Sequence, residues 1–107
     1  MEARLPAHLE VSGLVRAVNS AGGFATVLHK GDRDGGTILI VLTQSGRDAR
    51  LYERMPDLEG RCPWQCIRRQ DSEKPSEFNE YLERRGERDR DAWIVELDVA
   101  DGERFIL

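Results

Sequence analysis

The sequence predicts an α/β protein: a three-layer α/β/α domain in the order helix, four strands, helix, strand, on a mixed and mainly antiparallel sheet. Three observations lead there. Residues 37–43, TILIVLT, are the one unbroken apolar run. In a strand alternate residues face opposite sides, so Ile38, Ile40 and Leu42 point one way and Leu39 and Val41 the other. A strand apolar on both faces is stable only where both are covered, which makes 37–43 an interior strand between helical layers. One early and one late stretch show helical spacing, and the other apolar segments are short and rich in strand formers.

Composition narrows the function classes. A chain of 107 residues is expected to form one domain, 1–107, burying roughly 60 to 70 per cent of its unfolded surface. Apolar residues make up 39% and charged residues 34%, so a small core must be assembled economically. A formal charge of −4 gives no electrostatic reason to approach nucleic acid or an anionic membrane, and neither is expected as a partner. The N-terminal residues 1–8 lack the apolar segment of a secretory signal and no apolar run reaches membrane-spanning length, so a cytoplasmic protein is expected.

The first helix is expected over 6–22. Pro6 suits a first turn, and Val11, Leu14, Val15 and Val18 follow the i, i+3, i+4, i+7 spacing of one face. Glu10 and Arg16 carry the signs that suit the helix dipole, Gly22 and Gly23 end the helix, and His8 reads as a solvated first-turn residue. Residues 24–30 form a strand that the Gly- and Asp-rich turn 31–36 should fold back on 37–43 as an antiparallel hairpin. That turn is not a calcium loop: Gly36 falls where a third ligand is needed and Thr43 where the bidentate Glu belongs. Gly22 and Gly23 are not a phosphate loop either, since they precede a strand instead of following one.

After a turn at 44–48, residues 49–55 alternate, with Arg50, Tyr52 and Arg54 on one face and Leu51, Glu53 and Met55 on the other. Glu53 either sits at the sheet margin, reaching water or a surface Arg, or is a carboxylate held in a partly apolar pocket. Residues 56–60 break the pattern and 64–68 resume it as a fourth strand. Cys62 and Cys66, about 13 Å apart if extended, exceed disulfide reach. His8 and His29 lie far from each other and from this pair in the sequence, so no zinc pattern forms and two ordinary thiols are expected.

Asp71 or Ser72 should cap the second helix, with Pro75 in its first turn and Phe78, Tyr81, Leu82 and Arg85 along its inner stripe. Arg84, Arg85, Arg88 and Arg90 alternate with Glu83, Glu87, Asp89 and Asp91, a salt-bridged helix end and not a phosphate-binding patch. The last strand, 92–99, carries Glu96 and Asp98 on one face, roughly 7 Å apart. Such a pair could bind a divalent metal or do acid/base work only with further groups brought in from elsewhere. Residues 101–107 read as a helical turn that tucks Phe105 and Ile106 onto the sheet. The step from the fourth strand through the second helix to the fifth is expected to supply a parallel crossover.

Several stretches together resemble domain-of-unknown-function family 1491, small proteins of alphaproteobacteria. They are LPAHLEV at 5–11, GGFATVL at 22–28, ARLYERMP at 49–56, and ELD at 96–98 followed by ERFI at 103–106. The resemblance covers nearly the whole chain and implies an α/β domain in a bacterial cytosol, with no activity to assign to any residue.

No motif specifies a reaction, a metal or a cofactor, and none is expected. The primary reading is a non-catalytic module that binds a protein partner or a small anionic ligand. Its candidate surface joins Arg50, Tyr52 and Arg54 to Trp64 across the 56–61 connection, with Glu53 nearby. In the contrasting reading of these side chains, Tyr52 and Trp64 pack beneath the second helix and the arginines cover the rim. The alternative function is a small enzyme using Glu53, or Glu96 with Asp98, and Arg and Tyr as substrate clamps.

Overall fold

The computed structural model describes residues 5–107; residues 1–4, part of the stretch read above for a secretory signal, lie outside the described residues. Helix α1 (Ala7–Ser20) is followed by strands β1 (Phe24–His29), β2 (Ile38–Gln44), β3 (Arg47–Arg54) and β4 (Trp64–Arg69), helix α2 (Pro75–Arg88), strand β5 (Trp93–Asp98) and a 3-10 turn, Gly102–Phe105. This is the expected element order. The strands form one open sheet ordered β1-β5-β2-β3-β4, parallel between β2 and β5 and antiparallel elsewhere.

The helices cover opposite faces. Ala7, Val11 and Val18 of α1 pack on Ile38, Ile40, Leu42, Val95 and Leu97, while Phe78 and Leu82 of α2 pack on Leu39, Val41, Leu51 and Ile94. The two-sided apolar strand therefore lies where its pattern requires, buried from Ile38 through Thr43. The β2–β3 turn places Ser45 at φ 54 and Gly46 at φ 72. Positive φ at both central residues is the tight hairpin geometry whose twist matches the strands it joins. The Asp98 carboxylate locks it by accepting from the Ser45 and Gly46 amides at 2.8 and 3.1 Å.

The expected hairpin between 24–30 and 37–43 does not form. β1 pairs with β5, which lies between β1 and β2. The reason is burial. None of the six β1 side chains is fully buried, and Phe24, Thr26, Val27 and Leu28 are exposed, whereas β5 is buried at Trp93, Ile94, Val95 and Leu97. The strand with more apolar surface takes the interior place, and β1 is left at the edge. The 30–37 connection accordingly does not turn back on itself but crosses the end of β5. There the Asp32 amide donates to the Asp91 carbonyl at 2.9 Å and the Trp93 indole N–H donates to the Asp32 carbonyl at 2.6 Å.

Boundaries shift by a residue or two. The third strand runs from Arg47 to Arg54 and leaves Met55 outside and exposed. Asp71 does not cap α2; its carboxylate accepts from the Glu73 amide in a turn ahead of the helix, which begins at Pro75. Phe105 and Ile106 pack on the α1-side core as expected.

Candidate functional site

The register pairs Arg54 with Trp64 across β3 and β4, and the guanidinium lies 4.6 Å from the centroid of the indole ring. Arg54 also donates to both oxygens of Glu10 on α1, at 2.6 and 3.2 Å. Its charge is therefore engaged on one side by a carboxylate and on the other by an aromatic face. Four residues back along β3, on the same face, Arg50 is paired with Glu103. The Tyr52 hydroxyl donates to the same carboxylate at 3.3 Å. Burial, reinforced by the negative Glu103, holds the Tyr52 phenol above its usual range. Glu103 is held below the usual carboxylate range by its own backbone amide, then by Arg50 and the Tyr52 hydroxyl.

Tyr52 and Trp64 pack on the α1 side of the sheet, not beneath the second helix. Strand alternation decides this: α2 covers Leu51, so Tyr52 must face away from it. Glu53 is on the α2 face, apart from the other four candidates. It accepts from Arg85 at 3.3 Å, and Arg85 also donates to the Tyr81 hydroxyl at 3.1 Å. Arg68 also stacks on Tyr81, 4.5 Å from the ring centroid. Of the five sequence candidates, the structure thus brings together Arg50 with Tyr52 and Arg54 with Trp64, and sets Glu53 on the opposite face.

Glu96 and Asp98 share the α2 face near its uncovered end. Asp98 is engaged by the β2–β3 turn. Burial, with Asp98 adding to it, raises the Glu96 carboxyl above its usual range. Cys62 and Cys66 are free and exposed. Among the described residues no group of three or more His, Cys, Asp or Glu side chains is assembled to hold a metal ion.

A cleft of about 790 Å³ lies elsewhere, between β1 and the C-terminal half of α2. Its apolar floor is Leu28, Leu82 and Ile94, and His29 stands in its wall. The His29 Nδ1 lies 2.7 Å from the Ala92 carbonyl oxygen. A carbonyl only accepts, so Nδ1 carries the proton. Gly86 permits this: a Cβ there would come within 2.8 Å of His29 Cδ2. The sequence reading passed over His29 because no second ligand stands near it in the chain. The available signal was Gly86, since glycine inside a helix costs about 1 kcal/mol against alanine and often marks a close approach. Asn79, Lys30, Glu83, Glu87 and Arg90 supply the polar rim.

Comparisons with known proteins agree with this fold. The model of a family described as a protein of unknown function (DUF1491) matches residues 5–107. A crystal structure of a DUF1491 family protein from Caulobacter crescentus is 31% identical with a TM-score of 0.81, covering 95% of this chain and 94% of that one. An NMR structure of a DUF1491 family protein from the same organism is 30% identical with a TM-score of 0.79, covering 98% and 94%. A solution structure of a protein from A. tumefaciens is 26% identical with a TM-score of 0.73, covering 97% and 93%. No curated protein matches the chain. With the family model spanning all but its first residues and the fold shared across nearly its whole length, this chain belongs to the DUF1491 family.

Proposed function

We propose that this protein is a non-catalytic, single-domain binding module of the bacterial cytosol that takes a small ligand in the cleft between β1 and α2. The observation that carries the reading is the cleft itself, about 790 Å³ with an apolar floor and a few polar groups around it. That volume lies within the range of small-molecule sites in general. By contrast, Arg50, Glu53 and Arg54 have internal partners. In this reading they hold the layers together, and Arg54 with Trp64 offers at most a surface for a protein partner. No described helix is long and apolar enough to cross a membrane.

Titrating small apolar and charged compounds into the labelled protein, while following backbone amide resonances, tests the reading. Changes concentrated at 28–30 and 79–90 support it. Changes confined to Arg54, Trp64 and their neighbours would move the site to the other face. The enzyme reading keeps one specific observation, the raised Glu96 carboxyl, since displaced carboxyl groups are common in acid/base sites. A turnover screen in which Glu96→Gln abolishes an activity would favour it.

A further inference from the structure

The two edges of the sheet are built differently. The β4 edge follows Pro63 and carries Arg68 and Arg69, features that discourage a further strand. At β1 nothing does so over residues 24–28: none is charged or proline, and Phe24, Val27 and Leu28 are 74, 42 and 47% exposed. β1 pairs only with β5, and among the described residues no other backbone group hydrogen-bonds to the main chain of 24–28. Its outward N–H and C=O groups are therefore open to another strand. The one irregularity, a bulge between Val27 and His29, falls at the end of this stretch and leaves Phe24 to Val27 in regular register.

The order of the side chains selects the strand that fits. When β1 is laid antiparallel on a copy of itself with Thr26 at the centre, Phe24 falls opposite Leu28 of the second copy, Ala25 opposite Val27, and Thr26 opposite Thr26. Phe24 and Thr26 share the α2 face with their β5 partners Asp98 and Glu96, and Leu28 lines the cleft on that face. Each large exposed apolar side chain thus gains a large apolar neighbour, the threonines meet at the two-fold axis, and no like charges are set opposite each other. We infer that two copies of the chain pair through β1, antiparallel about Thr26, joining their five-stranded sheets into one. Because Leu28 lines the β1–α2 cleft, Phe24 of each copy then stands at the mouth of the other's cleft. The pairing does not depend on what the cleft binds. One pair of short strands buries less than the roughly 1,200 Å² of a standard interface, so the dimer is weak and depends on concentration.

Sedimentation of the whole chain from about 0.02 to 2 mM should show the mass rising from one copy towards two, and amides of 24–28 should exchange more slowly at the upper concentration than at the lower. Thr26→Lys, at an exposed site, sets like charges opposite each other at the axis; it should weaken association at least about tenfold while the dilute protein keeps its fold. Oxidation reads the register in a Cys62→Ser, Cys66→Ser background. There Thr26→Cys should form an intermolecular disulfide at least about tenfold faster than Lys30→Cys, because only residues opposite each other at the axis have Cα atoms about 4.5 to 5.5 Å apart. A chain that stays monomeric to about 2 mM overturns the inference, whether the edge is idle or takes a strand of another protein. So does a dimer that Thr26→Lys leaves intact, or one in which Thr26→Cys cross-links no faster than Lys30→Cys.

Discussion

Glu96 and Glu103 show how two carboxylates of one chain answer oppositely to pH. Burial beside Asp98 raises Glu96, so the folded protein holds that proton to higher pH than the unfolded chain does. Its contribution is greatest below the unfolded value and is lost as pH climbs through the folded one. Glu96→Gln should therefore have the higher Tm at pH 7, with the advantage gone below about pH 4, where the unfolded Glu is itself protonated. Glu103 is lowered, so its contribution is present above the unfolded value and is lost as pH falls. Glu103→Gln should lower Tm at pH 7 and change it little in acid. Thermal melts of both variants across pH 3 to 8 check the pair, and a Glu96→Gln protein less stable than the parent at pH 7 would contradict the first. For Arg54 and Glu10, about one-fifth exposed, a double-mutant cycle in urea should give a coupling of about 1 kcal/mol. A coupling near zero would free Arg54 for an external partner.

At the scale of elements, α2 and β1 meet through Gly86 and His29. Alanine at 86 should favour the helix by about 1 kcal/mol, yet its Cβ would stand 2.8 Å from His29 Cδ2. The His29 ring is fixed by its hydrogen bond to Ala92, so it cannot swing aside without losing that bond. Overpacking costs about 1 to 3 kcal/mol, and Gly86→Ala should be a net destabilisation of up to about 2 kcal/mol. In a His29→Ala background the same substitution should become neutral or stabilising. Chemical denaturation of the three variants measures this, and a Gly86→Ala protein more stable than the parent would show that the helix is not pressed on the ring. The sheet edges differ as well. β4 carries Arg68 and Arg69 and follows Pro63, features that discourage pairing with another strand, whereas β1 has no charged residue from Phe24 through Leu28.

Across the whole molecule, stability is concentrated in β2 and β5, the parallel pair buried between the helices. Hydrogen exchange should be slowest there and fastest in β1 and β4, which have neighbours on one side only. Leu39→Ala, at a fully buried site, should cost about 2 to 5 kcal/mol in urea unfolding. A cost below 1 kcal/mol, or faster exchange in β2 than in β4, would contradict this centre of stability. Much of this was legible in the sequence, because burial on two faces is written in the run 37–43 and helical spacing in Val11, Leu14, Val15 and Val18. The face shared by Arg50, Tyr52 and Arg54 follows from alternation alone, and so does the separation of Glu53 from them. Pairing is not local in this way. Whether β1 joins β2 or β5 depends on which strand has more apolar surface to bury, a comparison between segments about 70 residues apart, and a short Gly-rich turn misled because it suits a tight hairpin equally well. His29 owes its place in a cleft to the same pairing, since only β5 brings Ala92 and α2 beside it. The sequence by itself determined which segments are helix and strand and which side chains share a face, since those follow from backbone geometry; tertiary structure alone decided the strand order, the partners of the charged groups and the cleft, because each depends on competition between distant surfaces for the same interior.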